Sequence, residues 1–204
     1  MARLKTHDEA LRLRLINRAA ATVFDRGTAA LSLRQLAADV KTSTSAVYSL
    51  FGNKAGLLAS LYQEAARLFV ARLAAVSSTG DPANDVIRLG VAYREYALAN
   101  PHLYAILFLE SAAQFESTEE GQRQIVEMYQ PLVDAVRRGQ RAGQFTTELD
   151  PEVVALSCWA AAHGLVSLEL TGNQPPGLPI GESYERTLHA LVRGWRGAGP
   201  AGQP

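Results

Sequence analysis

The sequence predicts an all-α fold: three short helices at the N-terminus, then about six more. Three observations carry this. Apolar residues recur at three- and four-residue spacing through most of the chain, the period of a helix buried along one side. No stretch alternates apolar and polar residues strongly enough to read as a strand, and no segment repeats another. Stop and start signals of helices, Gly and Asx-Pro pairs, punctuate the pattern.

In chain order, Leu11, Leu15, Ala19, Val23 and Phe24 share one helical face, which ends at Gly27. Ser32-Leu-Arg-Gln35 reads as a capping box, with the Ser hydroxyl on the backbone three residues on and Gln35 reaching back. It opens a short helix with Leu33, Leu36, Ala37 and Val40 inward. Ser43 caps a further short helix to about Leu50. Gly52 then stops the chain, and Asn53 caps a long helix with Leu58, Leu61, Tyr62, Ala65, Phe69, Leu73 and Val76 on one face. After Ser-Ser-Thr-Gly at 77–80, Asp81-Pro82 starts a helix that turns Val86, Leu89, Tyr93, Tyr96 and Ala97 inward and breaks at Asn100-Pro101. Residues 102–109 read as a short apolar helix, 111–117 as a loop and 118–141 as an amphipathic helix. Asp150-Pro151 repeats the cap-and-proline signal for a helix to about Leu170. A Gly/Pro-rich loop leads to the last helix, with Tyr184, Leu188, Leu191, Val192 and Trp195 on one face. The organisation expected is a three-helix head over 1–53, a helical body over 54–196 and a disordered tail over 197–204.

Composition narrows the function classes. The chain of 204 residues is 48% hydrophobic and 20% charged, a globular balance. Its one cysteine, Cys158, rules out an intrachain disulfide framework and reads as a small buried hydrophobe. No Cys/His set has zinc spacing, so no metal or cofactor is expected. The N-terminus lacks the unbroken apolar core of a signal peptide. The run 153–168 carries no Asp, Glu, Lys or Arg, but it is shorter than a full span and interrupted by Ser, His and Gly. It reads as a buried or subunit-facing helix in a cytoplasmic protein without a membrane partner. No phosphate loop, nucleophile elbow or His-Glu-x-x-His motif is present, so an enzyme is not expected and no catalytic residue is assigned.

Net charge is zero, yet it is unevenly spread. Residues 1–54 hold 9 Lys/Arg against 4 Asp/Glu, which leaves the remainder net acidic by the same amount. A basic head on an acidic body points to an anionic partner at one end. The helices 33–40 and 44–50, joined by a short turn, form a helix-turn-helix pattern whose second helix can enter a major groove. Val47, with Leu50 or Phe51, would close inward, leaving Thr44, Ser45, Ala46, Tyr48 and Ser49 outward. Hydroxyls suit phosphates and base edges, and they also suit turns and caps, which is enough to explain Ser43. Lys54 is different. A cation in the first turn of a helix opposes the dipole, unless a phosphate lies there.

The span from Leu15 to Tyr62, centred on AAATVFDRGTAALSLRQLAADVKTSTSAVYSLFGNKAGLLASLY, resembles the DNA-binding domain of the tetracycline-repressor (TetR) family. The resemblance rests on an ordered set: Phe24 and Gly27, Leu31-Ser-Leu33, then Val47-Tyr48-x-x-Phe51-x-Asn53-Lys54-x-x-Leu57-Leu58. The turn departs from the family pattern, with Lys41 where Gly is common and Thr42 where a Val-type residue is common. The resemblance implies phosphate contacts from Tyr48 and Lys54, and a groove face of Thr44, Ser45 and Ser49. Ser43 stands at the start of that helix, and Arg34 and Lys41 are nearby candidates for backbone contact. Without an outward Arg on this helix, no bidentate guanine contact is expected from it.

Tyr93-Arg-Glu-Tyr96-Ala97 through Asn100-Pro-His-Leu-Tyr104, with Trp159-Ala-Ala-Ala-His163-Gly164-Leu165, is similar to one C-terminal type of this family. The resemblance implies a ligand-responsive regulator, by default a repressor, whose homodimer forms through the last two helices and meets a double-stranded inverted-repeat operator. It also implies an unidentified small-molecule effector in the body, for which Tyr93, Tyr96, Tyr104, Phe108, Met128, Trp159 and His163 are the candidates. Each of these residues also suits an ordinary core. Activation without a ligand, or a purely structural helical protein, remains the alternative.

Overall fold

The computed structural model describes residues 2–110 and 119–196. The loop expected at 111–117 and the tail expected at 197–204 lie outside the described residues. Nine α-helices and no strands occur among the described residues. They are α1 (Ala2–Arg26), α2 (Leu33–Asp39), α3 (Thr44–Phe51), α4 (Lys54–Ala74), α5 (Pro82–Ala99), α6 (Pro101–Ala105), α7 (Glu119–Arg141), α8 (Pro151–Thr171) and α9 (Ile180–Gly194). A 3₁₀ turn, Thr28–Ala30, follows α1, and a π turn, Ile106–Glu110, follows α6.

The chain forms two compact units, Met1–Leu68 with Asn100–Gln122 and Phe69–Ala99 with Arg123–Pro204. In the first, α1 packs on α2 and α6, and α2 packs on α3. Leu15, Ala19, Val23 and Val47 are fully buried there, as the helical spacing predicts; Ile16 and Leu57 are fully buried as well, whereas Leu11 and Leu58, expected inward, are half-buried. Phe24 departs from the expected inward face. It is 41% exposed and meets His102 edge to face, with ring centroids 4.7 Å apart. Phe24 is turned by about 100° from Val23 and so lies at the edge of the buried stripe.

Of the expected caps, one is half made and one is not made by its side chain. Ser32 accepts from the Gln35 backbone N–H, but the Gln35 amide donates onward to Asp39 instead of reaching back. Asp150 precedes α8 without a side-chain cap, whereas Asp81 accepts from the Asn84 backbone N–H at the start of α5.

In the second unit α5, α8 and α9 pack on one another. A bidentate ion pair from Arg94 of α5 to Glu169 of α8, at 2.6 and 2.7 Å, ties two of them. Tyr184 of α9 donates to the Gly90 carbonyl of α5. The expected apolar run on α8 buries Val154, Ala155, Cys158, Ala162 and Val166, while Val153, Leu156 and Leu168 stay exposed. By length and composition α8 could cross a bilayer. Trp195, expected on the apolar face of the last helix, follows the end of α9 and is half-buried.

The tightest polar anchor of this unit is Asp85, 2% exposed on the first turns of α5. It accepts from the Ser78 hydroxyl, the Thr79 backbone N–H and hydroxyl, and the Arg138 guanidinium of α7. Burial by itself would push its carboxyl up. The bonds from Thr79, Ser78 and Arg138 outweigh that and hold it below the usual carboxylate range. Removing the carboxylate leaves the Ser78 and Thr79 donors without their acceptor, while the partly exposed Arg138 keeps access to water, so Asp85→Ala should cost about 1–3 kcal/mol in urea unfolding. The sign with pH follows from the lowered folded value. The contribution is complete above about pH 4, the unfolded carboxyl value, and is lost as pH falls through the folded one. Asp85→Asn should remove that acid-side component from the pH–stability curve.

Candidate nucleic-acid interface

The candidate interface is built on the turn between α2 and α3. Val40 ends α2, and the next residue, Lys41, is in the left-handed region at φ 57°. The Lys41 N–H donates to the Ala38 carbonyl and the Thr42 N–H to the Ala37 carbonyl. That pair of bonds is a Schellman cap, whose left-handed position glycine usually occupies because a side chain costs about 1–2 kcal/mol there. The turn therefore keeps its geometry with a lysine in place of glycine.

Ser43 caps α3 by accepting from the Ala46 N–H at 3.1 Å. An eight-residue helix is too short to be stable alone, and α3 is held by Val47 and Phe51, both buried. Helical periodicity then turns the other side outward. Ser45, Tyr48 and Ser49 are exposed, Tyr48 by 51%, with Thr44 half-buried beside them.

The link to α4 is equally constrained. Gly52 takes φ 71°, and Asn53 caps α4 by accepting from the Gly56 N–H at 2.9 Å. A Cβ on Gly56 would lie 2.1 Å from the Phe51 carbonyl oxygen, so no larger residue fits. This close approach sets the end of α3 against the first turn of α4, where Lys54 stands. Lys54 donates through Nζ to the Ala29 carbonyl of the 3₁₀ turn at 3.3 Å. The partner lies 25 residues away in sequence, and no local pattern announces it.

Ion pairing sorts the basic residues of the head. Arg14 donates to the Val40 carbonyl and Arg18 pairs with Asp39, which bind α1 to the end of α2. Arg12 pairs with Glu9. Hydrogen bonds from Gln35 and Arg18 outweigh the desolvation of Asp39 and hold its carboxyl below the usual range. Arg34 and Lys41 are exposed, with side chains that pair with no other described residue. Among the described side chains, then, Arg34, Lys41 and Lys54 are the expected cations not committed to a carboxylate.

The aromatic candidates of the body divide between the units. Tyr104 and Phe108 pack ring to ring in the first, with centroids 5.0 Å apart. In the second, a hydrogen bond of 2.9 Å joins the Tyr93 hydroxyl to His163 Nδ1. Trp159 lies against His163 and Tyr129, and Phe69 sits edge-on to Tyr93 and Tyr96. Met128 is nearly buried on α7. Burial lowers the His163 pKa and favours the neutral ring. Cys158 is buried as expected, and the same effect pushes its thiol up to about 11. Spacing places Phe69 on the inward face of α4 but not in this cluster, and it does not single out Tyr129, since an aromatic on an apolar helix face carries no mark of its neighbours.

Residues 15–61 match the family described as bacterial regulatory proteins, tetR family, and residues 86–191 match the tetracyclin repressor-like C-terminal domain. Over 192 residues the chain is 28% identical to the HTH-type transcriptional repressor SCO4008 of Streptomyces coelicolor, covering 90% of this chain and 96% of that one. A protein of unknown function from Rhodococcus sp. RHA1 superposes with a TM-score of 0.78 at 25% identity, over 92% of this chain and 96% of that one. The ketosteroid transcriptional regulator KstR2 of Mycobacterium tuberculosis shares the fold at a TM-score of 0.70 and 21% identity, over 91% and 95% of the two chains.

Two substitutions test the local geometry. Lys41→Gly removes the left-handed strain at the cost of a more flexible unfolded chain, so it should stabilise by about 0.5–1 kcal/mol. Gly56→Ala should lower the stability of the head, because the added methyl meets backbone and not a movable side chain. Thermal unfolding followed by circular dichroism reads both, and a neutral Gly56→Ala would show that α3 and α4 can separate freely.

Proposed function

We propose, from a chain that belongs to the tetracycline-repressor family of bacterial transcriptional regulators, that it represses transcription as a dimer on an inverted-repeat operator. It is a DNA-binding regulator and not an enzyme. The observation that carries the proposal is the outward face of α3 beside the first turn of α4. Val47 and Phe51 take the inward side, so Thr44, Ser45, Tyr48 and Ser49 are left for a duplex, next to Lys54.

In this reading α3 enters the major groove. Thr44, Ser45 and Ser49 offer hydroxyls to base edges and groove walls, and Tyr48 donates to a phosphate. A second phosphate at the α4 N-terminus meets its free N–H groups and Lys54 together. Lys54 exchanges the Ala29 carbonyl for that phosphate, a stronger, charge-assisted partner. Arg34 and Lys41 add backbone contacts, and Ser43 serves as the cap that orients α3.

Dimerisation through α8 and α9 is supported by the apolar residues that α8 leaves exposed, Val153, Leu156 and Leu168, which a second copy would cover. A two-fold dimer places its recognition helices about 34 Å apart, one turn of DNA. A small molecule bound in the body then acts by favouring a state whose two heads no longer match adjacent grooves. The Tyr93–His163 pair with Trp159 is one candidate contact set for it. A cytoplasmic location follows from this role.

Gel shifts on DNA flanking the protein's own gene test the reading. Tyr48→Ala and Lys54→Ala should each weaken binding about equally across operator variants. Each lost phosphate contact should lower the slope of log affinity against log salt by about 0.9. Ser45→Ala should instead change the ranking of operator variants. Absent or salt-insensitive binding on every such fragment would overturn the proposal.

A further inference from the structure

The second unit holds a groove of about 450 Å³ that none of Tyr93, Trp159 or His163 lines. Its volume falls in the range that takes a small organic molecule. Val70, Leu73 and Leu89, from α4 and α5, supply apolar lining, and its ionisable lining is Asp85, Glu127, Asp134 and Arg138.

The charges of this lining do not cancel. Asp85 is matched by Arg138 at 3.0 Å. Asp134 accepts from the Gln130 amide and meets Arg137 at 3.0 Å, a cation it shares with Glu152, which lies 2.7 Å from the same guanidinium. Glu127 has no hydrogen bond or ion pair to another described residue. Pro131, also in the lining, lies inside α7 and brings no backbone N–H. The Glu127 carbonyl therefore lacks the donor that an uninterrupted helix gives it. An exposed carboxylate with no partner among the described residues and a carbonyl without its usual helical donor thus belong to the same residue, on a groove with an apolar wall.

We propose that this groove binds an organic monocation with an apolar body, whose charged head is held by Glu127 and whose body lies against Val70, Leu73 and Leu89. The Arg138 Nε–H, buried without an acceptor, gives a second polar contact to a ligand that carries an ether or carbonyl oxygen. The proposal deepens the effector reading and rests on it only for the consequence of binding, since the binding itself is measured without DNA.

Calorimetric titration of the full chain with octyltrimethylammonium, octan-1-ol and octanoate compares three heads on one apolar body. The cation should bind about tenfold more tightly than the anion. Glu127→Gln should reduce that preference to about twofold while leaving the alcohol unchanged. Ala74→Trp, at an exposed lining position, should weaken all three. Equal or tighter binding of octanoate would assign the head contact to Arg138 and overturn the proposal. A preference unchanged in Glu127→Gln, or binding indifferent to Ala74→Trp, would overturn it as well. Cation binding that leaves operator affinity unchanged would uphold the groove and show that its ligand is not the effector, which separates the two.

Discussion

The DNA-facing side of this protein depends on the burial of two side chains, Val47 and Phe51. Eight residues cannot hold a helix in water, since nucleation costs more than so few hydrogen bonds return. Tertiary burial supplies what α3 lacks, and in doing so it selects which face is out. Once Val47 and Phe51 are inside, Ser45, Tyr48 and Ser49 have no choice of side. The caps at Ser43 and Asn53, the left-handed Lys41 and the tight approach at Gly56 then set where α3 begins and ends.

The same economy explains the distribution of charge in the head. Arg14 and Arg18 are spent on the end of α2 and Arg12 on carboxylates, so formal charge overstates what is offered to a duplex. Lys54 is held by a neutral carbonyl, a partner it can leave at little cost. A lysine tied to a carboxylate would have to break an ion pair before meeting a phosphate. In the body, by contrast, Asp85 accepts from Ser78, Thr79 and Arg138 together and serves as an anchor.

Much of this was legible in the chain. The helices from α2 to α5, and the face each buries, follow from spacing and from the signals at Ser32, Ser43, Asn53 and Asp81-Pro82. These are local rules that act within one or two turns. Less was legible where a side chain had competing partners. Gln35 had Asp39 one turn on as well as the backbone behind it, and Phe24 had a place on the rim against His102. Of the body aromatics, spacing identified that they were buried but not that Tyr93 would meet His163 or that Tyr104 would meet Phe108.

The chain by itself determined an all-α fold, a helix-turn-helix head with its outward hydroxyls, and membership of a regulator family. Those properties depend on periodicity and on motifs a few residues long. Only the tertiary structure decided that Lys54 reaches Ala29, that Gly56 cannot carry a side chain, and that Glu127 alone among the carboxylates lining the groove has no partner among the described residues. The first joins residues 25 apart in sequence, the second depends on how the chain turns between two helices, and the third on a balance of several charges. No spacing rule encodes such meetings, because they are settled by how whole helices pack.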